Sequence, residues 1–237
     1  MLVVDSEADP QGALAAAALP GTAVMVYNSA IDSTEDVVSK IEAAHKANGG
    51  TPLTSIAFAN HAGEVWQLAS DCICHPGQDG CITDASPVIS ALARCVAKEG
   101  GRIDLLGCRL LALDPHLPDK LEKEFEGIQF TASDDDTGNG SAGGDWVMES
   151  DGLDISADYF DATRLKAYTE TMRAGALQFM FFLEDNGFQV SLHVLLQAQI
   201  EARAKYRDGT LDHATSYRLK NNSSTVKWER TIPIPIA

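Results

Sequence analysis

Two side chains in this sequence, a thiol and an imidazole, stand where reactive residues gather in α/β proteins. Cys108 follows the apolar run Ile103–Leu106 after Gly107, and His61 follows the apolar run Ser55–Asn60. In open parallel sheets, reactive side chains collect just beyond the carboxyl ends of the strands. If the two strands are neighbours, the thiol and the imidazole would form a nucleophile and base pair.

The glycines beside this pair would suit the same chemistry. Gly63 and Gly107 lack a Cβ, so a substrate backbone can approach closely there. The backbone amides near Gly63 and Cys108 would then form an oxyanion hole. The alternative is structural, because cysteine is among the most buried residue types and a Gly-Cys pair at a strand end is often simple packing.

The elements that must position these residues alternate between apolar runs and helical patterns over the first 133 residues. Predicted strands are Leu2–Val4, Ala23–Tyr27, Ser55–Asn60, Ile103–Leu106 and Ile128–Ser133, with a short extension at Glu64–Leu68. Predicted helices are Pro10–Leu19, a helix capped at Ser33 and stopped at Gly49, a helix beginning at Pro87, and Pro118–Phe125. This alternation predicts an α/β fold with a mostly parallel sheet and helices on both faces, hence three layers.

The regular alternation ends at about residue 134, which predicts two domains. Residues 1–172 form the α/β domain, and residues 173–237 form a C-terminal α+β appendage. The appendage is predicted to contain a helix at Ser191–Tyr206, a hairpin turning at Asn221–Ser224 and an extended tail at Ile232–Ile236. The run Leu177–Leu183 is apolar along its whole length and must be covered. We therefore expect a protein partner or self-association through residues 173–237.

Charge limits the classes of partner. The chain has 34 acidic and 18 basic residues and a formal net charge of −16. Neutralising a nucleic-acid backbone needs clustered Lys and Arg, so we expect no nucleic-acid partner. No apolar run reaches the length needed to span a bilayer, which predicts a soluble chain. The acidic surface suits an extracellular or cell-surface setting.

Three of the five cysteines lie within ten residues and leave three alternatives open. Cys72, Cys74 and Cys81, with His75, offer soft ligands for zinc, but they lack the paired Cys-x2-Cys spacing. A local disulfide and unpaired loop thiols are the other two possibilities.

An acidic loop follows the fifth predicted strand. Asp134, Asp136 and Asn139 could bind Ca²⁺ through hard oxygens, although the spacing is not that of an EF-hand. An acidic turn needs no metal to exist, so the sequence predicts no metal and no cofactor. In a hydrolase, Asp134 and Asp135 would instead bind a basic side chain of the substrate.

The order of these pieces resembles a known group of enzymes. An apolar strand ending in His and then Gly, followed later by an apolar strand ending in a small residue and then Cys, is similar to the caspase-like clan of cysteine peptidases. The chain is most similar to a domain of unknown function found near the N-termini of very large bacterial surface proteins. Four segments carry this resemblance, over roughly residues 1–170: Leu2–Ser6, His61–Leu68, Asp104–Cys108 and Thr131–Trp146.

The resemblance implies that Cys108 attacks, His61 transfers the proton, and the amides near Gly63 and Cys108 hold the oxyanion. This sequence departs from the clan at Ala62, which separates His61 from Gly63, and Arg109 directly follows the cysteine. Arg109 would either lower the thiol pKa or extend to solvent. We therefore predict a non-catalytic or degenerate module for protein–protein association in a surface or multi-subunit assembly. The alternative is a cysteine hydrolase, a peptidase, with a Cys/His dyad.

Overall fold

The computed structural model describes residues 1–63, 65–75, 77 and 80–173, and the backbone of residues 217–222 and 225–230. The chain divides into two compact units, Met1–Gly175 and Ala176–Ala237. Among the described residues, no helix has both the length and the apolar character needed to cross a membrane.

The first unit is built on a five-stranded parallel sheet. Its strands are β1 (Leu2–Asp5), β2 (Val24–Tyr27), β3 (Ser55–Ala59), β6 (Gly101–Leu105) and β7 (Ile128–Ala132), in the order β2-β1-β3-β6-β7. Val4 lies opposite Ala59, and Leu105 lies opposite Ala132. The carboxyl ends of these strands therefore meet at one edge of the sheet, as the sequence predicts.

Helices cover both faces of the sheet. They are α1 (Ala13–Ala17), α2 (Thr34–Ala47), α3 (Cys81–Cys95), α4 (Leu110–Leu113), α5 (Leu117–Glu124) and α6 (Ser156–Tyr159). Val3 of β1 belongs to one buried cluster with residues of α2, α3 and α5, whereas Leu2 and Val4 belong to another with residues of α1 and α6. Alternate residues of a strand point to opposite faces. The predicted three-layer α/β fold is therefore confirmed.

The beginning of α2 follows its sequence signal. The Ser33 hydroxyl accepts a hydrogen bond from the Asp36 amide, and the Asp36 carboxylate accepts one from the Ser33 amide. These two hydrogen bonds form a reciprocal capping box. The predicted cap is therefore confirmed. By contrast, α1 is shorter than the predicted helix Pro10–Leu19, because Gly12 adopts left-handed backbone angles with φ of 69° just before Ala13.

The predicted start of α3 at Pro87 is wrong, because α3 begins at Cys81 and carries Pro87 inside it. Proline cannot donate a hydrogen bond to the carbonyl of Thr83, four residues earlier, so an interior proline weakens a helix. Here the first turns are retained because Cys81 and Ala85 are buried on the apolar face that continues through the helix. Tertiary packing outweighs the local proline signal.

A hairpin lies between β3 and α3. Its strands are β4 (Trp66–Ala69), where the sequence predicts a short extension, and β5 (Cys72–Cys74), which is not predicted. Cys74 forms a disulfide with Cys81 at a Cα–Cα distance of 4.8 Å, and Cys72 is a buried free thiol. Of the three alternatives for these cysteines, the structure has the local disulfide. Neither Cys74 nor Cys81 is then available as a thiolate ligand for zinc.

The rest of the first unit contains short elements. These are β8 (Val147–Met148), β9 (Leu153–Asp154) and single 3-10 turns at Gly140–Ala142 and Arg164–Ala167. In the second unit, β10 (Tyr217–Asn222) and β11 (Thr225–Arg230) pair antiparallel, which confirms the predicted hairpin. The apolar run Leu177–Leu183, the predicted helix Ser191–Tyr206 and the predicted tail Ile232–Ile236 lie outside the described residues.

Candidate functional site

The loops that follow β3 and β6 touch each other. The two strands are hydrogen-bonded neighbours in the sheet. A Cβ atom added at Gly107 would lie 2.6 Å from the Ala62 Cβ and 3.3 Å from the Leu110 Cδ1. Gly107 is therefore needed for close contact between the two loops, and His61 and Cys108 share one edge of the sheet. The condition that the sequence argument set, adjacent strands, is met.

We expect Gly107→Ala to lower the free energy of unfolding by about 1–3 kcal/mol, because the new methyl group overlaps a side-chain atom fixed close to the backbone. Urea unfolding would measure the change. The matched control is Gly140→Ala, since a Cβ there meets nothing within 4 Å. Equal stability of the two variants would contradict this account of the loop contact.

The Cys108 thiol is fully buried. Cys108 has no exposed surface and belongs to an apolar cluster with Leu106, Tyr168 and Met172. Its sulfur donates a hydrogen bond to the Thr137 carbonyl, with a sulfur–oxygen distance of 3.7 Å. Burial raises the pKa of the thiol to about 12. At neutral pH the sulfur is therefore protonated and a poor nucleophile.

Arg109 directs its charge to the acidic loop. Its Nε donates to the Asp136 Oδ1 at 2.8 Å, and its backbone amide donates to the Asp135 carbonyl at 2.7 Å. Its φ of 60° is the only positive value among the described residues other than glycine. Arg109 lowers the pKa of Cys108 only slightly relative to the effect of burial. Of the two sequence-based alternatives for Arg109, neither describes it fully, because the side chain is half-exposed and ion-paired.

One ring nitrogen of His61 has a hydrogen-bond partner, and the other has none among the described residues. The His61 Nε2 lies 2.9 Å from the Glu7 carbonyl oxygen. Because a carbonyl only accepts, Nε2 carries a proton in this contact, and in the neutral ring Nδ1 is then an acceptor. The Nδ1 atom is buried and has no hydrogen-bond partner among the described residues. His61 thus retains a basic nitrogen, while the hydrogen bond of Cys108 goes to Thr137 instead.

A chain segment near the end of the first unit, Glu170–Arg173, lies across the end of β6; we refer to it as the covering segment. The Met172 amide donates to the Thr137 carbonyl at 2.8 Å, and the Met172 carbonyl accepts the Ala62 amide at 3.1 Å. Ala62 follows β3 and Thr137 follows β7, the two strands that flank β6. Met172 is itself fully buried. The covering segment therefore passes over the strand end that carries Cys108.

The covering segment also affects the predicted oxyanion hole. The Ala62 amide, next to the buried Gly63, already donates a hydrogen bond to the Met172 carbonyl. Sequence reasoning missed this segment because Glu170–Arg173 has neither helical nor alternating periodicity, and the predicted domain boundary falls inside it. The first compact unit ends two residues later, at Gly175.

Two of the predicted calcium ligands make other contacts within the acidic loop. Asp136 contacts Arg109 and, at 3.5 Å, Arg173. The side-chain oxygen of Asn139 accepts the amide and hydroxyl of Ser141. Calcium binding at Asp134, Asp136 and Asn139 stays a prediction. Carboxylate oxygens of Asp134, Asp135 and Glu149 lie within 4.8 Å of one another.

Asp134 and Asp135, the predicted substrate-binding residues, are exposed just beyond the end of β7. They lie in the loop that Arg109 contacts, at the same sheet edge as Cys108. Their predicted role in binding a basic substrate side chain stays a prediction.

Comparison with known protein families identifies a matching family model. A family model described as a domain of unknown function, DUF4347, matches residues 1–172, which is most of the chain and the whole sheet described above. No curated protein and no solved structure matches the chain. The matched range contains Cys108, His61 and all of the covering segment except Arg173. The chain therefore belongs to the DUF4347 family of domains of unknown function.

Proposed function

We propose that this domain is a non-catalytic, degenerate module of the caspase-like type that mediates protein–protein association in a surface or multi-subunit assembly. The observation that carries the proposal is the state of Cys108. It combines zero exposure, a hydrogen bond to the Thr137 carbonyl and a pKa raised to about 12. A catalytic cysteine needs a thiolate in a partially exposed, electropositive environment, and this one has the opposite surroundings.

The covering segment supports the same proposal. It uses the Ala62 amide, which lies beside the predicted oxyanion donors, and it places Met172 in the same buried apolar cluster as Cys108. A substrate carbonyl would have to displace this segment to reach the sulfur. A fold that has lost its reaction but kept its core can still serve as a binding module.

The second candidate is a cysteine hydrolase, and a specific observation favours it. The strands that carry His61 and Cys108 are adjacent, and the His61 Nδ1 is a buried acceptor without a partner among the described residues. A free basic nitrogen at the same sheet edge as a thiol is what a dyad requires. In this alternative the covering segment would leave the strand end before catalysis.

The experiment is alkylation of the full chain with iodoacetamide at pH 8, followed by peptide mapping of Cys108 over time. A thiol with a pKa of about 12 is ionised in only about one molecule in 10⁴ at that pH, so we expect Cys108 to react only after unfolding in urea. Cys108→Ala identifies the modified peptide. Reaction of native Cys108 at the rate of the unfolded chain would overturn the proposal and favour the hydrolase.

The sequence also predicts that residues 173–237 bind a protein partner. Of that range the structure describes Arg173 and the backbone of β10 and β11. We retain this partner-binding role as part of the proposal. It rests on the apolar sequence of Leu177–Leu183, which folding must cover.

A further inference from the structure

One edge of the central sheet has no strand partner among the described residues. β2 is the outermost strand there, and within the described part of the chain it pairs with β1 alone. The carbonyls of Ala23 and Tyr27 accept amides from the β1 side, namely from Leu2 and Ser6. Because backbone groups alternate along a strand, the amides and carbonyls of the residues at positions 24 and 26 face away from the sheet. No other strand of the described chain meets them there.

The opposite edge, β7, is closed by the chain itself. The Phe130 amide donates to the Glu122 carboxylate at 3.0 Å, and the Ala132 amide donates to the Ser150 hydroxyl at 3.1 Å. The Ala132 carbonyl accepts the Ser150 amide at 3.2 Å. Natural proteins protect sheet edges with such contacts, or with charges and prolines. The β2 edge has none of these devices within the strand.

The surface along β2 is apolar and uncharged. Val24 is 37% exposed and Val26 is 49% exposed. No Asp, Glu, Lys or Arg occurs from Pro20 to Ile31. Large apolar side chains beside unpaired backbone groups are the usual features of a surface that adds a strand.

Hydrogen bonds on both sides of β2 limit how many of its outward backbone groups are unpaired. The Thr22 amide already donates to the Leu19 carbonyl, and the Asn28 amide donates to the Asp32 carboxylate. Of the residues that the structure describes along this edge, Val24 and Val26 are left with outward amides and carbonyls. In antiparallel pairing with an identical strand, Val24 of each copy would lie opposite Val26 of the other. Each of these two residue pairs would exchange two backbone hydrogen bonds, which makes four in total.

We propose that β2 pairs with β2 of a second copy of this chain, so that the two sheets join into one continuous sheet of ten strands. This inference rests on the proposed association function and names the partner. A second copy fits this edge because the ladder is self-complementary, and charge selects this edge over the other surfaces of the same chain. Each copy carries a formal net charge of −16, so apposing most surfaces of two copies brings like charges together. The β2 edge is a place where two copies meet without acidic side chains in the contacting strands.

The test is sedimentation velocity of the full chain over a wide range of protein concentration. We expect a monomer–dimer equilibrium in the wild type. Val26→Lys, and separately Val24→Lys, should raise the dimer dissociation constant at least about tenfold, because each places two ammonium groups at the twofold contact. The matched control is Ile31→Lys, which adds the same charge at a more exposed residue outside the ladder and should dimerise like the wild type.

Hydrogen exchange provides a second measurement that needs no variant. The amides of Val24 and Val26 should exchange more slowly as protein concentration rises, because pairing protects them. Circular dichroism of the lysine variants checks that each retains the wild-type fold.

Three outcomes would overturn the inference. They are a wild-type chain that stays monomeric at every concentration, a dimer that Val26→Lys leaves unchanged, and equal weakening by Ile31→Lys. A monomeric chain whose Cys108 still resists alkylation would overturn the β2 contact alone. Rapid alkylation of Cys108 in a chain that dimerises through β2 would overturn the non-catalytic function and leave the contact standing.

Discussion

Replacing Asp104 by alanine should lower the free energy of unfolding by about 3–5 kcal/mol. Asp104 is fully buried in the middle of β6. Its carboxylate accepts the Arg102 Nε at 2.8 and 3.1 Å, the Thr131 hydroxyl at 2.6 Å and the Tyr159 hydroxyl at 2.5 Å. Removing the carboxylate leaves two buried hydroxyls without their acceptor and leaves the Arg102 guanidinium with Asp158 alone as its ion-pair partner among the described residues.

Urea denaturation measured by circular dichroism would test this expectation. The control is Glu42→Ala, which breaks an ion pair with Arg94 in which both side chains are about half exposed. Exposed pairs contribute at most about 1 kcal/mol, so the control should stay close to the wild type. Asp104→Asn keeps one acceptor oxygen and should fall between the two. A loss for Asp104→Ala no larger than that for Glu42→Ala would show that the buried network is not stabilising.

The Asp104 network shows which contacts cannot be predicted from the sequence. The sequence places Asp104 in a strand and in a motif shared with a known family. It does not show that Tyr159, 55 residues away, donates to its carboxylate. Partners at that separation depend on how α6 packs on the sheet, which the local pattern does not encode.

The sheet itself was predictable because its strands are short apolar runs and its helices carry local start signals. The capping box at Ser33 is such a signal, and it defines the beginning of α2. At α3 a comparable local signal, Pro87, misleads, since burial of Cys81 against the core extends the helix past it. Local chemistry predicts an element well only where tertiary packing does not compete with it.

The same reason explains why the position of His61 and Cys108 could be predicted and the covering segment could not. Strand ends are visible in sequence, so His61 and Cys108 could be placed at one sheet edge. The covering segment could not be predicted, because its contacts with Ala62 and Thr137 are made by backbone groups of residues without a regular pattern. Its presence changes the chemistry expected of Cys108 from a nucleophile to a buried thiol.

The burial of Cys108 should also appear as a pH dependence of stability. The ordinary thiol pKa is 9.0, and burial raises the pKa of Cys108 in the folded protein to about 12. Below pH 9 both the folded and the unfolded chain hold the proton, so this contribution to stability is fully present. As pH rises from 9 toward 12, only the unfolded chain loses the proton, and the free energy of unfolding falls.

We expect that fall to reach about 4 kcal/mol at the upper end of the window and about 2 kcal/mol near pH 10.5, since each pH unit is worth about 1.4 kcal/mol. Buried tyrosines lose stability in the same range, so the quantity to measure is the difference between wild type and Cys108→Ala. That difference should be constant from pH 6 to about pH 8.5 and should then shift in favour of Cys108→Ala. A difference that stays constant up to pH 10.5 would mean that the Cys108 thiol ionises at its ordinary pKa in the folded chain. The sulfur would then be accessible to water, and the covering segment would not exclude a substrate.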